Sequence, residues 1–256
     1  MNQKAVILLS GGLDSATALY VALRRDKKIP ICLSVHYGQL HERELAGAKK
    51  IAAALQLEHW TVPLSLPWGG SALTDPGVAL PKGRPEAEIS KEIPATYVPA
   101  RNSIFLSLAA SLAEAQGADA IYFGANALDY SGYPDCRPEF IEAFETLVRR
   151  GTRAGAEGRP IRVIAPLLRL SKSEIVKLGT ELGVPFEWTW SCYEGKEIPC
   201  GECDSCILRA KGFREAGMED PLGKQSLRVP IRPSTDELGR SNLKTRLPRR
   251  PTASSQ

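Results

Sequence analysis

The sequence predicts an α/β fold built on a mostly parallel sheet. Three observations predict it. Short apolar runs such as Ala5–Leu9 and Ile29–Val35 are continuous rather than alternating, as in strands covered on both faces. Those runs alternate with stretches of helical periodicity, the pattern of βαβ units with right-handed crossovers. A glycine turn, Ser10-Gly11-Gly12-Leu13-Asp14-Ser15, sits where the first strand should hand over to the first helix.

Each element follows in order. Ala5–Leu9 is the first strand, and Asp14–Arg25 is the first helix. Ile29–Val35 is the second strand. His41–Leu55 is a helix with Leu45, Ala48, Ala52 and Leu55 on one face. Glu58–Val62 is the third strand. From Pro63 to Pro99 repeated Pro and Gly dissolve the periodicity, and a loop of that length inside a domain is functional or disordered. Asn102–Gln116 resumes as helix and Asp119–Gly124 as strand. Pro138–Arg150 is a helix with proline in its first turn, and Ile161–Ala165 is a strand. Ser171–Leu182 is a helix whose Ser171 and Glu174 spell a capping box and whose Gly183 ends it. A cysteine-rich stretch and a short helix around Ser205–Glu215 complete the body.

Three segments follow from this reading: an α/β domain over 1–187, a cysteine segment with its helix over 188–221, and a basic tail over 222–256. The tail is rich in Pro, Arg and Ser and is expected to be disordered. It holds eight Lys/Arg against two Asp/Glu, so of the net +4 the tail carries +6 and the rest −2. That distribution argues against a nucleic-acid-binding body. No apolar run reaches the ~18–20 residues of a membrane span. Met1–Lys4 leads straight into a strand, so no signal peptide is expected and the protein is expected to be cytoplasmic. In that setting six cysteines are not expected to be disulfide-bonded.

The glycine turn is an anion cradle. Gly11 and Gly12 allow close backbone approach, the helix start presents unpaired N–H groups, and Ser10 and Ser15 add hydroxyls. A Walker loop is excluded, because no lysine lies between Lys4 and Lys27, and no Gly-x-Gly-x-x-Gly is present. Asp14 beside the anion suggests Mg²⁺ bridging a phosphate to the protein. The hexapeptide resembles the pyrophosphate loop of the N-type ATP pyrophosphatases (the PP-loop superfamily). The resemblance implies a Rossmann-like parallel sheet and cleavage of ATP between its α- and β-phosphates.

Cys192-x7-Cys200-x2-Cys203-x2-Cys206 supplies four thiolates within fifteen residues, with Pro199 and Gly201 turning the chain. Structural Zn²⁺ is the favoured reading; a redox pair or an iron–sulfur cluster are the alternatives. Cys32 reads as a core thiol, and Cys136 as either a site thiol or packing. Trp188 and Trp190 read as packing for the metal knuckle.

Further stretches carry a closer resemblance: Tyr37-Gly38-Gln39-x-His41, Tyr97-Val98-Pro99-Ala100-Arg101-Asn102, the run Gly124–Phe140, Ser191-Cys192-Tyr193, and Cys200-Gly201-x-Cys203-Asp204-Ser205-Cys206. Together these resemble the 7-cyano-7-deazaguanine synthases of the queuosine pathway over Lys4 to Pro221. His36 departs from a position that is often acidic in that family. The resemblance implies conversion of 7-carboxy-7-deazaguanine, ATP and free ammonium to the nitrile through adenylated carboxylate and amide intermediates. It implies Zn²⁺ in the cysteine segment, Mg²⁺ with ATP, and a homodimer. ATP is expected on Leu9, Ser10, Gly11, Gly12, Leu13, Asp14, Ser15, Ala16 and Thr17, with Leu33, Ser34 and Val35 at the adenine. Ser10, Asp14, Ser15 and Arg101 are expected to act on the phosphates or the substrate carboxylate. Arg101, Asn126, Asp129, Tyr133, Asp135 and Arg137 are expected to hold the deazapurine. His41 reads as either a base for ammonium or a plain helix-start residue, with the second preferred. The competing functions are a tRNA-modifying enzyme of the same superfamily, which needs a basic surface, and a non-enzymatic nucleotide-binding zinc module.

Overall fold

The computed structural model describes residues 3–89, 92–127 and 132–223. Five parallel strands form one sheet: β1 (Lys4–Leu8), β2 (Ile29–His36), β3 (Glu58–Pro63), β4 (Ala120–Tyr122) and β5 (Arg162–Ile164), in the order β3-β2-β1-β4-β5. The helices are α1 (Leu13–Tyr20), α2 (Arg43–Ala54), α3 (Glu86–Ile89), α4 (Arg101–Gln116), α5 (Pro138–Gly151), α6 (Arg153–Ala156), α7 (Lys172–Leu182) and α8 (Asp204–Ala216). Among the described residues no helix is long and apolar enough to cross a membrane.

The unbroken apolar run of β1 has the cause anticipated for it. Ala5, Ile7 and Leu9 point into a core completed by α1, α2, α7 and α8, while Val6 and Leu8 point into a second core completed by α4 and α5. Both faces of the sheet are therefore dry. Every predicted long element is present, with ends differing by a few residues at most. The first helix differs in kind: after Tyr20 it widens into a π-helical turn over Val21–Arg25 rather than continuing as α-helix. Among its described residues the Pro63–Pro99 stretch is irregular apart from the short α3 and a single bridge residue, Lys82. It is pinned to the cysteine segment by a Lys82–Cys203 bridge and by a paired Arg84–Asp204 contact with Nε–Oδ1 of 3.0 Å.

Strand order places a topological switch point between β1 and β4. The chain runs outward from β1 to β2 and β3, then returns to start β4 on the other side. Loops leaving the carboxyl ends of β1 and β4 diverge there and open a crevice, the usual ligand position in such sheets. The glycine turn follows β1, and the 123–126 segment follows β4.

Candidate active site

A cavity of about 260 Å³ opens at that crevice. Its floor is the glycine turn. Gly11 has φ +93°, and a Cβ there would lie 1.8 Å from the Glu44 carbonyl oxygen, so only glycine lets α2 press onto the loop. Gly124 is needed for the same reason on the other side, since its Cβ would come within 2.9 Å of the Ser15 nitrogen. Ser15 Oγ organises the turn from within. It accepts N–H bonds from Ser10 and Gly11, both 3.2 Å, and donates to the Gly12 carbonyl at 3.1 Å. The first intrahelical bond of α1 is Ala16 N–H to Gly12 O, so the N–H groups of Leu13, Asp14 and Ser15 precede it and have no partner within the helix, the arrangement that suits an anion.

The lysine missing from the loop arrives from 158 residues away. Lys172 opens α7, directly after the Ser171 cap, and its Nζ donates to both oxygens of Asp14 at 2.9 and 2.8 Å. Its side chain is only 6% exposed, so this charge is built into the wall. Lys172 was not singled out in the sequence. Its only local signal is a lysine at the first position of a capped helix that follows a strand.

The far wall carries Arg101, at the start of α4. Ala100 just before it holds φ 53°, an uncommon left-handed position for a residue with a side chain. Arg101 donates from Nη1 to Tyr37 Oη at 3.2 Å and lies over the rings of Tyr37 and Phe105. Tyr133 shares this wall and bonds Thr96 through its hydroxyl at 2.7 Å. Asn126 lines the cavity and donates from Nδ2 to the Leu170 carbonyl.

Not all expected residues gather here. Leu9, Ser10, Gly12, Leu13, Asp14, Ser15, Leu33 and Val35 line the cavity. Ala16 and Thr17 instead turn into the interior, where Thr17 donates to Leu13 O at 2.9 Å. The Ser34 hydroxyl is buried against Leu9 O and His59 Nε2, so its side chain is absorbed in the sheet. Asp135 is buried behind the wall, accepting from Asn102 N–H at 3.1 Å, with its Oδ1 lacking a partner among the described residues. Burial pushes its carboxyl upward, against the pull of the Asn102 N–H and of Arg101. Arg137 is exposed at the start of α5, away from the cavity. Asp129 lies outside the described residues. The Cys136 thiol faces both ways, lining the cavity while accepting from Asn102 Nδ2 at 3.3 Å. Burial and the neighbouring Asp135 push it up to about 12, so it is no thiolate nucleophile. Cys32 is a core thiol, fully buried.

His41 is more than a helix-start residue. It lies on the cavity wall under Gly195, and its buried Nδ1 has no partner among the described residues. Burial holds its pKa below the usual histidine value. His36 pairs instead with Glu42, Nε2 to Oε1 at 3.2 Å, and neither residue lines the cavity.

The Sγ atoms of Cys192, Cys200, Cys203 and Cys206 all lie within 4.8 Å of one another. A tetrahedral site with M–S near 2.3 Å needs edges of about 3.8 Å, so modest contraction closes it around a metal. Backbone N–H groups of Cys200 and Cys203 already point at the Cys192 and Cys200 sulfurs. This segment also builds the cavity: Trp190 N–H donates to Gly11 O at 3.0 Å, and Ser191, Tyr193, Ser205, Leu208 and Arg209 complete the wall. Trp190 packs among the cysteines as expected. Trp188 does not; it packs on the main core with Lys50 over its ring. Leu222, where the tail was expected to begin, is buried in the cysteine cluster, and the residues after 223 lie outside the described ones.

Comparison with known proteins places this geometry among relatives. A sequence model of the family described as "Queuosine biosynthesis protein QueC" matches residues 4–217. A curated 7-cyano-7-deazaguanine synthase from Anaeromyxobacter dehalogenans (strain 2CP-C) is 58% identical over 222 residues, covering 86% of this chain and 94% of the relative. Relatives of the same name from Trichodesmium erythraeum (strain IMS101) and Nostoc punctiforme (strain ATCC 29133 / PCC 73102) are 56% and 54% identical. Both alignments cover 86% of this chain, with 99% of the first and 98% of the second.

Proposed function

The chain belongs to the queuosine biosynthesis protein QueC family, and on that premise we propose that it is a 7-cyano-7-deazaguanine synthase. In this reading it is a C–N ligase that joins ammonia to 7-carboxy-7-deazaguanine at the expense of ATP, releasing AMP and diphosphate. The observation that carries the proposal is the extent of the family match, which spans every residue lining the cavity.

The residues support specific parts. The N–H groups of Leu13–Ser15 and the hydroxyls of Ser10 and Ser15 receive the ATP phosphates, with Leu33 and Val35 against the adenine. Lys172 stands beside the position where diphosphate charge develops. Asp14 accepts two N–H bonds from Lys172 and keeps lone pairs for Mg²⁺ carried in with ATP, which when bound neutralises the departing diphosphate. Arg101 holds the substrate carboxylate by a charge-assisted pair, and Asn126 and Tyr133 hold the ring beside it. The substrate carboxylate then displaces diphosphate from the α-phosphorus, ammonia displaces AMP to leave an amide, and a second activation of the amide oxygen gives the nitrile. The chain's part is positional and electrostatic; no side-chain nucleophile is required. Cys192, Cys200, Cys203 and Cys206 hold a structural Zn²⁺, which fits a reducing cytoplasmic setting. The division at 187/188 and the homodimer belong to the same proposal.

Mass spectrometry after incubation with 7-carboxy-7-deazaguanine, ammonium, ATP and Mg²⁺ tests it. A nitrile product with AMP is expected. ADP and orthophosphate, or no product containing the added nitrogen, would refute it.

A further inference from the structure

Glu44 has no role in that scheme, yet it is one of only two acidic side chains among the described residues that line the cavity. The other, Asp14, is held by Lys172. Glu44 lies in the first turn of α2, where α2 is pressed onto the glycine loop, and its Oε1 stands 3.7 Å from where a Gly12 Cβ would be. The carboxyl is thus carried along the wall beside the phosphate loop. No hydrogen-bond donor reaches it among the described residues.

The groups that face Glu44 come from separate elements. Arg101 approaches from α4, and the Tyr37 hydroxyl from the end of β2. His41 precedes it on the same wall. β2, β3 and the Phe186–Trp188 turn also pack on α2, but bring no charge that moves it. Burial pushes the Glu44 carboxyl up to about 7, against the opposing charge of Arg101, so near neutral pH it exists in both forms. Arg101 is also the residue that fits the substrate carboxylate, so a carbon held by Arg101 lies within the influence of Glu44.

We infer that Glu44 is the base that deprotonates ammonium for the amide-forming step, an inference that rests on the ligase reading of this site. The Glu44 carboxylate takes one proton from NH₄⁺. The freed lone pair forms the C–N bond to the adenylated carboxyl carbon. The C–O bond to AMP breaks, its electron pair leaving on the AMP phosphate, and the second proton passes from the new nitrogen to solvent as the amide forms. Positioned proton transfer of this kind contributes about 10²–10⁴-fold.

The experiment compares the full-length protein with its E44Q variant, which keeps side-chain volume. Three rates are measured: carboxylate-dependent ATP–pyrophosphate exchange without a nitrogen nucleophile, amide formation with ammonium, and hydroxamate formation with hydroxylamine. Hydroxylamine is uncharged at neutral pH and needs no prior deprotonation. E44Q is expected to retain exchange and hydroxamate formation near wild-type rates while losing about 100-fold or more with ammonium. In the wild type, kcat/KM for total ammonium should rise through about pH 7 and then level. This limb should be absent with hydroxylamine, and it needs no variant to fold. Equal ammonium rates in both proteins would overturn the inference. So would loss of exchange in E44Q, which would assign the carboxyl to ATP binding, or a wild-type profile that climbs in proportion to free ammonia above pH 8. Absence of carboxylate-dependent exchange in the wild type would instead refute the ligase reading itself.

Discussion

Asp14 and Lys172 show what a single residue means once its partner is known. Read along the chain, Asp14 is an acid beside an anion cradle, and a bridging cation reconciles the two. In the folded protein its carboxylate also neutralises a lysine whose side chain is 6% exposed. Removing the carboxylate outright would strand that ammonium in the wall, at about 3–5 kcal/mol for a broken buried pair. Asp14→Asn is therefore the informative change, since it keeps the shape and an acceptor. It should lower ATP-to-AMP turnover by about two to three orders of magnitude. Pyrophosphate release is the measurement, and an unchanged rate would remove Asp14 from the site. Gly11 was legible in the sequence as a loop glycine. That its missing Cβ makes room for the Glu44 carbonyl was not, because the partner lies on another helix.

At the scale of elements, local chemistry and tertiary burial divide the work. The Ser171–Glu174 capping box and the Gly183 terminator of α7 were readable, because both are satisfied within a few residues. The π-helical turn after Tyr20 was not, since Val21–Arg25 has no local feature that distinguishes it from α-helix. The 188–221 segment is held by a clamp that no spacing announces. Arg209, 6% exposed at its side chain, bonds Asp220 through Nε and Nη2 at 2.8 and 3.0 Å, Thr189 Oγ1 at 2.8 Å and Phe186 O at 3.1 Å. Arg209→Ala should destabilise the protein by about 3 kcal/mol or more, because it takes away the charge partner of Asp220 and one donor each from Thr189 Oγ1 and Phe186 O. Calorimetry should record a Tm lower by roughly 6–12 °C. A shift under 2 °C would show that the clamp contributes little.

For the whole molecule, the cysteine segment lines the cavity and also gathers four sulfurs that could hold a metal ion. Elemental analysis should find about one zinc per chain. A chelator that strips it should abolish ATP turnover as well as lower Tm, since Trp190, Tyr193 and Arg209 stand on the cavity. Iron with a visible charge-transfer band would overturn the zinc assignment, and full turnover in the stripped protein would overturn the wall. The sequence by itself determined the parallel sheet, the glycine cradle, the four thiols and the family. Those signals are carried by neighbours in the chain: period, turn residues and cysteine spacing. Only the tertiary structure decided that Lys172 pairs with Asp14 beside the cradle, that Asp135 and Arg137 stay off the cavity wall, and that Glu44 lines it with no hydrogen-bond donor among the described residues. The reason is that strand order 3-2-1-4-5 brings the ends of β1, β4 and α7 to one crevice, and which side chains face it depends on contacts between residues distant in sequence.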